Sequence, residues 1–444
     1  MIKQYAKAWT RNQVIHGGWV LITGIVGRVA FILMAMLATD SAGQNWPRFR
    51  GPNGTGVAGE INIPSTWGEA DVAWKTELPG EGHSSPVIWG ERVFLLSANP
   101  DGETRHAIGL DASGGDIVWT RSFPAATHSI HARSSYASST PAVDDQRVYA
   151  IWGSPENLKV MAFDHEGETV WQRDLGPFHG RHGYGNSPIL VDDLVIITVI
   201  HGDEKSGHAD DSRSFVMAVN RESGETVWET PRGNETSSYS APVIRQLENG
   251  QQEIVGFSPN EGMFGLDPAT GDENWSLEVF DKRTIGTPTL MHGLVFGTVG
   301  SGGGGHYLVA VRPGSEPEEV YRVERISPYV PSVLAVDDSL YLWHDEGKVS
   351  CVNVADGEPI WTERIGGNYS SSPICAGSRI FGVSDEGEVV VLAASPEFQL
   401  LGRNPLGELT RASPAIAGGR LYIRTVSHLI CVGPGPTRQV SQLK

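Results

Sequence analysis

GLDPATGDENW (residues 265–275) is the stretch that decides the fold. Asp267 can accept backbone N–H groups two or three residues on, and Gly271 can take the positive φ that closes a short hairpin. The segment therefore reads as a turn between two strands that ends on Trp275. Near copies recur along the chain. GLDASGGDIVW ends at Trp119, AFDHEGETVW at Trp171, AVNRESGETVW at Trp228 and CVNVADGEPIW at Trp361, with Asn220 and Asn353 in the Asp place. Short apolar runs bounded by Gly, Pro, Asn and Asp precede each copy, as in SAPVI, IVGFS and MFGLD ahead of ENWSLEV. Such runs are strand signals, and no stretch after residue 45 shows a long helical period.

The repeat can be counted. Each unit opens on Ser or Thr near a proline: Pro86, Pro141, Pro188, Pro242, Pro288, Pro331, Pro373 and Pro414, eight starts 41 to 55 residues apart. The tryptophan place holds Trp119, Trp171, Trp228, Trp275, Tyr321 and Trp361, and FQLLGRN in the seventh unit has none. The eighth unit stops at HLICVG, one strand short. DVAWKTEL (residues 71–78) carries Trp74 in outer-strand context ahead of the first unit and can supply that strand. Four-stranded units of this length closed in a ring are propeller blades. The prediction is an all-β, eight-bladed β-propeller over residues 66–433, closed by the N-terminal strand. Trp74, Trp119, Trp171, Trp228, Trp275 and Trp361 are expected to dock blade on blade.

The pattern Asp/Asn, Gly-Glu/Asp, then Trp resembles the tryptophan-docking repeat of the pyrroloquinoline-quinone (PQQ)-type propellers. That superfamily holds quinoprotein alcohol dehydrogenases and the non-enzymatic BamB-like scaffold of outer-membrane barrel assembly. NWPRFRGPNGTGV (residues 45–57) is similar to the opening of PQQ-like propellers of planctomycete-type bacteria. The resemblance implies a fold strongly and an activity weakly.

Residues 1–43 read as a secretory signal, with Lys3, Lys7 and Arg11 ahead of VAFILMAMLA and small residues at the cut; an uncleaved anchor is the alternative. No Cys follows the apolar run, so the expectation is a periplasmic or secreted protein that is not a lipoprotein and, after cleavage, does not bind membrane directly. Removing that segment takes four basic residues and Asp40 from 34 basic and 52 acidic, leaving 30 against 51, a net charge of −21. Such a surface disfavours nucleic acid. Residues 44–65 form an extended segment, residues 434–444 a disordered tail, and a monomer is expected. Cys351, Cys375 and Cys431 read as buried thiols, without a disulfide framework.

Propeller geometry puts the blade-to-blade loops on one face. Tyr136, Tyr184, Tyr239, Tyr329 and Tyr369 lie shortly before the unit start in five of them. His83, Arg283 and Arg411 fill comparable places elsewhere, and Arg133 and His182 sit beside the tyrosines. This set is the candidate ligand-binding mouth, suited to an anionic or polyhydroxy ligand. The insertion HGDEKSGHADDSR (residues 201–213) reads as solvated rather than metal-binding, and SGGGGH (residues 301–306) is not a phosphate loop, since no helix follows it.

The quinoprotein resemblance implies, in its enzymes, a quinone with calcium beside a Cys-Cys disulfide. This chain has no adjacent cysteines and no calcium triad that can be matched residue by residue. The expectation is therefore a non-catalytic binding or scaffold module for a protein, peptide or glycan, with no cofactor. The alternative is a PQQ- and calcium-dependent alcohol or sugar dehydrogenase.

Overall fold

The computed structural model describes residues 45–202, 213–233, 236–259 and 261–435. The expected signal, residues 203–212 of the insertion and the tail from residue 436 lie outside these. Eight four-stranded antiparallel sheets follow one another, the fifth carrying an extra short strand, Arg283–Thr284. The first blade is Val87–Trp89, Arg92–Ala98, Thr104–Asp111 and Ile117–Pro124. The eighth takes Ala415–Ala417, Arg420–Arg424 and His428–Val432 from the C-terminal end and Val72–Glu77 from the N-terminal end, with Trp74 opposite Cys431. Eight blades closed by the N-terminal strand are thus what the structure shows.

The hairpins work as the side chains dictate. Asp267 Oδ1 accepts the N–H groups of Ala269 at 2.8 Å and Thr270 at 3.1 Å, and Asn220 Oδ1 does the same for Glu222 and Ser223. Each docking ring reaches the hairpin of the next blade. Trp74 Nε1 donates to Ala112 O, Trp119 to His165 O, Trp171 to Arg221 O and Trp228 to Pro268 O, at 2.8–3.1 Å. The hairpin glycine lies flat on that ring: a Cβ on Gly271, whose φ is 74°, would meet Trp228 at 2.5 Å. Tyr321 takes the same role with its hydroxyl on Val354 O. Trp275 departs from it, donating to Glu253 of its own blade, because the next hairpin, RPGSEP, has lost the Asp–Gly turn. Across the sheet, the partner of each docking ring is small: Gly109, Ala162, Ala218, Gly265, Ala310, Cys351 or Cys431. Two of the three buried free thiols are therefore spacers beneath a ring.

The seventh blade has Gly402 where the others have an aromatic residue. The N-terminal segment explains it: a Cβ there would meet Ser65 O at 2.1 Å, and Trp67 N–H donates to Asn404 Oδ1 just beyond. One unit start also needs correcting. Pro331 lies two residues early, and Val333 takes the place that Pro373 and Pro414 hold next to their inner strands, Leu334–Val336, Ile374–Ala376 and Ala415–Ala417.

The Ser or Thr two residues before each inner strand forms a hydroxyl ring around the axis. The N–H of Ser85 donates to Thr140 Oγ1 at 3.0 Å and that of Thr140 to Ser187 Oγ at 3.0 Å. The ring resumes from Thr287 to Ser332, Ser372 and Ser413, and closes from Ser413 to Ser85 at 3.1 Å. Ala241 is the one position without a hydroxyl.

Residues 45–59 run inside the channel against the inner strands. Trp46 exchanges backbone bonds with Ile88, Pro47 O accepts from Val143, and Asn53 brackets the backbone of Ile244. Arg48 donates to Pro242 O at 2.6 Å; Arg50 donates to Thr287 Oγ1 at 3.0 Å and Val333 O at 2.9 Å. Ala58 and Gly56 then pair with Cys375. Burial lowers both guanidinium pKa values to about 9, so they remain cations in the core. The opening NWPRFRGPNGTG is a plug, and its arginines hold it.

Candidate functional site

With one end plugged, the channel is a blind cup of about 480 Å³, within the usual range of small-ligand sites. Phe49 of the plug lies in its lining. The hydroxyl ring forms a collar through Ser85, Thr140, Ser187, Ser332, Ser372 and Ser413, and the blade-to-blade loops make the rim. The rim carries Arg133, Arg181, Arg283, Arg411, His83, His131, His182, Tyr239 and Tyr329, and among the described residues no Asp, Glu or Lys lines the cup. Four guanidiniums are thus gathered in a protein of net charge −18. Low-dielectric walls strengthen their field on anything that enters.

The cup is electrically lopsided. Arg411 pairs with Asp385 at 3.2 Å, and Arg133 lies 3.9 Å from the same carboxylate. Arg283 instead donates Nε–H to Ser237 O at 3.1 Å and stands over the Tyr239 ring. Among the described residues neither Arg283 nor Arg181 makes an ion pair. Among the described residues, the guanidiniums without an ion pair therefore lie towards the third to fifth blades.

His182 stands on that side. Its Nδ1 lies 3.1 Å from Ser134 Oγ, and its ring meets His131 at 4.6 Å and the Tyr239 ring edge-on at 5.9 Å. Burial, then Arg283, His131 and Arg181, lower its pKa to about 4, so the imidazole is neutral at neutral pH. Burial and two arginines, Arg424 and Arg411, take His83 to about 3. The Tyr239 hydroxyl meets Ser237 Oγ at 3.1 Å, and burial raises its pKa. Tyr329 is stacked on His306 at 5.3 Å, and the N–H groups of Tyr329 and Val330 donate to Asp345. SGGGGH thus supports a rim tyrosine through its last residue.

Of the recurring tyrosines, the structure brings Tyr239 and Tyr329 to the cup and takes three elsewhere. Tyr184 is buried with its hydroxyl on Thr198 O, and Tyr369 is buried edge-on to Trp343. Tyr136 turns away under Arg105, its hydroxyl on His128 O, and lines a neighbouring cleft. His83, Arg133, His182, Arg283 and Arg411 all reach the cup. The serine collar and Phe49 were not among the expected site residues. The collar had a signal, a hydroxyl at one place in every unit except at Ala241; Phe49 had none. Of the insertion expected to be solvated, His201 is buried near His179, and residues 203–212 are outside the described set. Among the described residues no three His, Cys, Asp or Glu side chains cluster as metal ligands.

The fold and its tryptophan docking define an eight-bladed propeller of the PQQ type. The chain belongs to the family described as outer membrane protein assembly factor BamB, whose model matches residues 69–178, 138–363 and 320–434. Solved structures agree on the fold. BamB from Moraxella catarrhalis is similar at 16% identity and a TM-score of 0.57, covering 82% of this chain and 99% of that one. Quinohemoprotein alcohol dehydrogenase from Comamonas testosteroni is similar at 13% identity and a TM-score of 0.60, covering 90% and 82%. The computationally designed Ika8 protein is similar at 11% identity and 0.59, covering 82% and 100%. No curated protein matches by sequence. The fold is therefore shared by a barrel-assembly factor and a dehydrogenase alike.

The dehydrogenase likeness raises the question of a quinone with calcium. The arginines suit the carboxylates of such a quinone. The calcium finds no carboxylate donor among the described residues of the lining, and calcium sites draw on carboxylates to reach six to eight oxygens. The residues present do not fit the calcium-assisted group.

Proposed function

We propose that the chain is an exported binding module whose axial cup captures a glycan bearing acidic groups. One observation carries this reading: a blind cup with a hydroxyl collar, two aromatic faces and four arginines, with no carboxylate lining it among the described residues. Serine hydroxyls and tyrosine faces suit the hydroxyls and C–H faces of sugars, and Arg suits a carboxylate or sulfate. A 480 Å³ recess suits a few sugar units better than a flat protein surface. The family's printed description concerns the outer membrane, which agrees with an exported place. Calorimetry with neutral and acidic oligosaccharides tests the reading. Acidic ones should bind, more weakly as salt rises; equal binding of neutral and acidic sugars, or none, would sink it.

A second reading, a quinone-dependent oxidoreductase, draws on the fold shared with the Comamonas enzyme and on the match between rim arginines and an anionic quinone. An absorbance band retained after PQQ and calcium are added, with dye reduction by alcohols, would favour it over the first.

A further inference from the structure

We infer that the cup also cleaves such a glycan, by β-elimination at a uronate, with His182 as base, Arg283 as the carboxylate-binding cation and Tyr239 as proton donor. This rests on the binding reading above. Hydrolysis of a glycosidic bond normally employs a pair of carboxyl groups, and among the described residues no carboxyl group lines the cup. Elimination needs a different set. The proton on the carbon next to a carboxylate becomes removable when a cation holds that carboxylate's charge. A neutral base must then face it, and an acid must protonate the departing oxygen.

The third-to-fifth-blade side holds that set together. Arg283 and Arg181 are cations with no carboxylate partner among the described residues. His182 Nδ1 lies 3.1 Å from Ser134 Oγ, and in the tautomer that donates there the Nε2 lone pair is free. Its ring meets Tyr239 edge-on at 5.9 Å, and Arg283 stands 6.0 Å from the same ring. Base, acid and cation therefore stand side by side in the lining of the cup. Burial, with the surrounding cations, keeps His182 neutral, so its lone pair is free.

The step balances without a cofactor or water. His182 Nε2 takes the proton from the carbon bearing the carboxylate. The released electron pair forms a double bond to the next carbon, whose bond to the glycosidic oxygen breaks with its electrons on oxygen. Tyr239 gives that oxygen its proton, and the imidazolium restores the tyrosine proton through solvent. The products are a chain with a new reducing end and one ending in an unsaturated uronate.

The full chain is incubated with polygalacturonate, alginate and a glucuronate-containing polymer. Binding is read by calorimetry and elimination by the ultraviolet absorbance of the conjugated product. Binding with growing absorbance is expected for at least one. His182→Gln should abolish the absorbance while changing affinity less than tenfold; Arg283→Gln should weaken binding more than tenfold. An unchanged melting temperature shows that each variant folds. Binding without absorbance overturns the elimination and leaves the binding reading standing. Absorbance that survives His182→Gln overturns the assignment of the base, and no binding to any polymer overturns both readings.

Discussion

At the scale of single residues, the protein separates groups that dock blades from groups that face a ligand. Trp228 is 8% exposed and bonded to Pro268 O. Trp228→Ala should destabilise by about 3–5 kcal/mol, the usual cost of emptying an aromatic site, read from the urea midpoint. Gly271→Ala should also destabilise, because its φ is positive and the methyl would strike the same ring. The tyrosines divide the same way. Tyr184→Phe removes one buried hydrogen bond and should cost about 1 kcal/mol without touching acidic-glycan affinity. Tyr239→Ala should do the reverse. A fall in affinity for Tyr184→Phe in calorimetry would put that ring in the site and undo the division. Recurrence at one position in the repeat made the tyrosines visible in the sequence. It could not say which way each ring turns, because that depends on neighbours distant in the chain, such as Arg105 over Tyr136 and Trp343 against Tyr369.

At the scale of elements, the hydroxyl ring and the plug are two solutions to one problem, a set of inner strands converging on an axis with polar backbone to satisfy. The ring joins neighbouring blades through side-chain oxygens, and it lapses at Ala241, where the Thr287 hydroxyl is taken by Arg50. Ala241→Ser should offer an acceptor to the Ser187 N–H and raise stability by about 0.5–1 kcal/mol, seen as a higher thermal midpoint. No rise would mean that the Ser187 N–H gains nothing from an added acceptor there. Arg50→Met should lower stability by about 2–3 kcal/mol, since Val333 O and the Thr287 hydroxyl lose a buried donor. The plug was the least legible element. NWPRFRGPNGTG has neither strand alternation nor helical period, and its arginines look like surface residues until the channel closes round them. Blade strands and hairpins were legible because their pattern is local; the plug's contacts reach from Arg50 to Val333 and from Gly56 to Cys375.

At the scale of the whole molecule, closure was readable because a missing strand at one end matched a spare Trp74 at the other. The cup was readable only as a face, since its depth depends on the plug. Two global properties follow. The first is pH dependence. His83, His182 and His201, whose pKa values burial chiefly lowers from 6.5 to about 3, 4 and 4, bind protons less readily folded than unfolded. Their stabilising contribution is complete above pH 6.5 and is lost as pH falls towards 4. Glu408, held down to about 2 by hydrogen bonds from Ser427, Thr425 and His428 that outweigh its burial, adds a further loss below pH 4.5. The urea midpoint should drop steadily from pH 7 to pH 4, and a flat profile would contradict the buried neutral imidazoles. The second property separates the two tasks of the N-terminal residues. Residues 45–65 carry the plug, and Val72–Glu77 is the outer strand of the eighth blade. Without residues 45–65, strand pairing still closes the ring, so the chain should elute in size-exclusion chromatography as the whole chain does. Its cup becomes an open pore, and it should melt lower and bind acidic glycans weakly. Without residues 45–79, His428–Val432 also loses its partner and becomes an open edge. The seam to the first blade loses Trp74 on Ala112 and Thr76 on Gly115, keeping Arg424 on Leu96 and Arg420 on Ala112. That chain should associate or precipitate, because an unpaired strand beside exposed apolar surface is a template for a second copy. Equal behaviour of the two truncated chains would mean that closure depends on the plug and not on the strand.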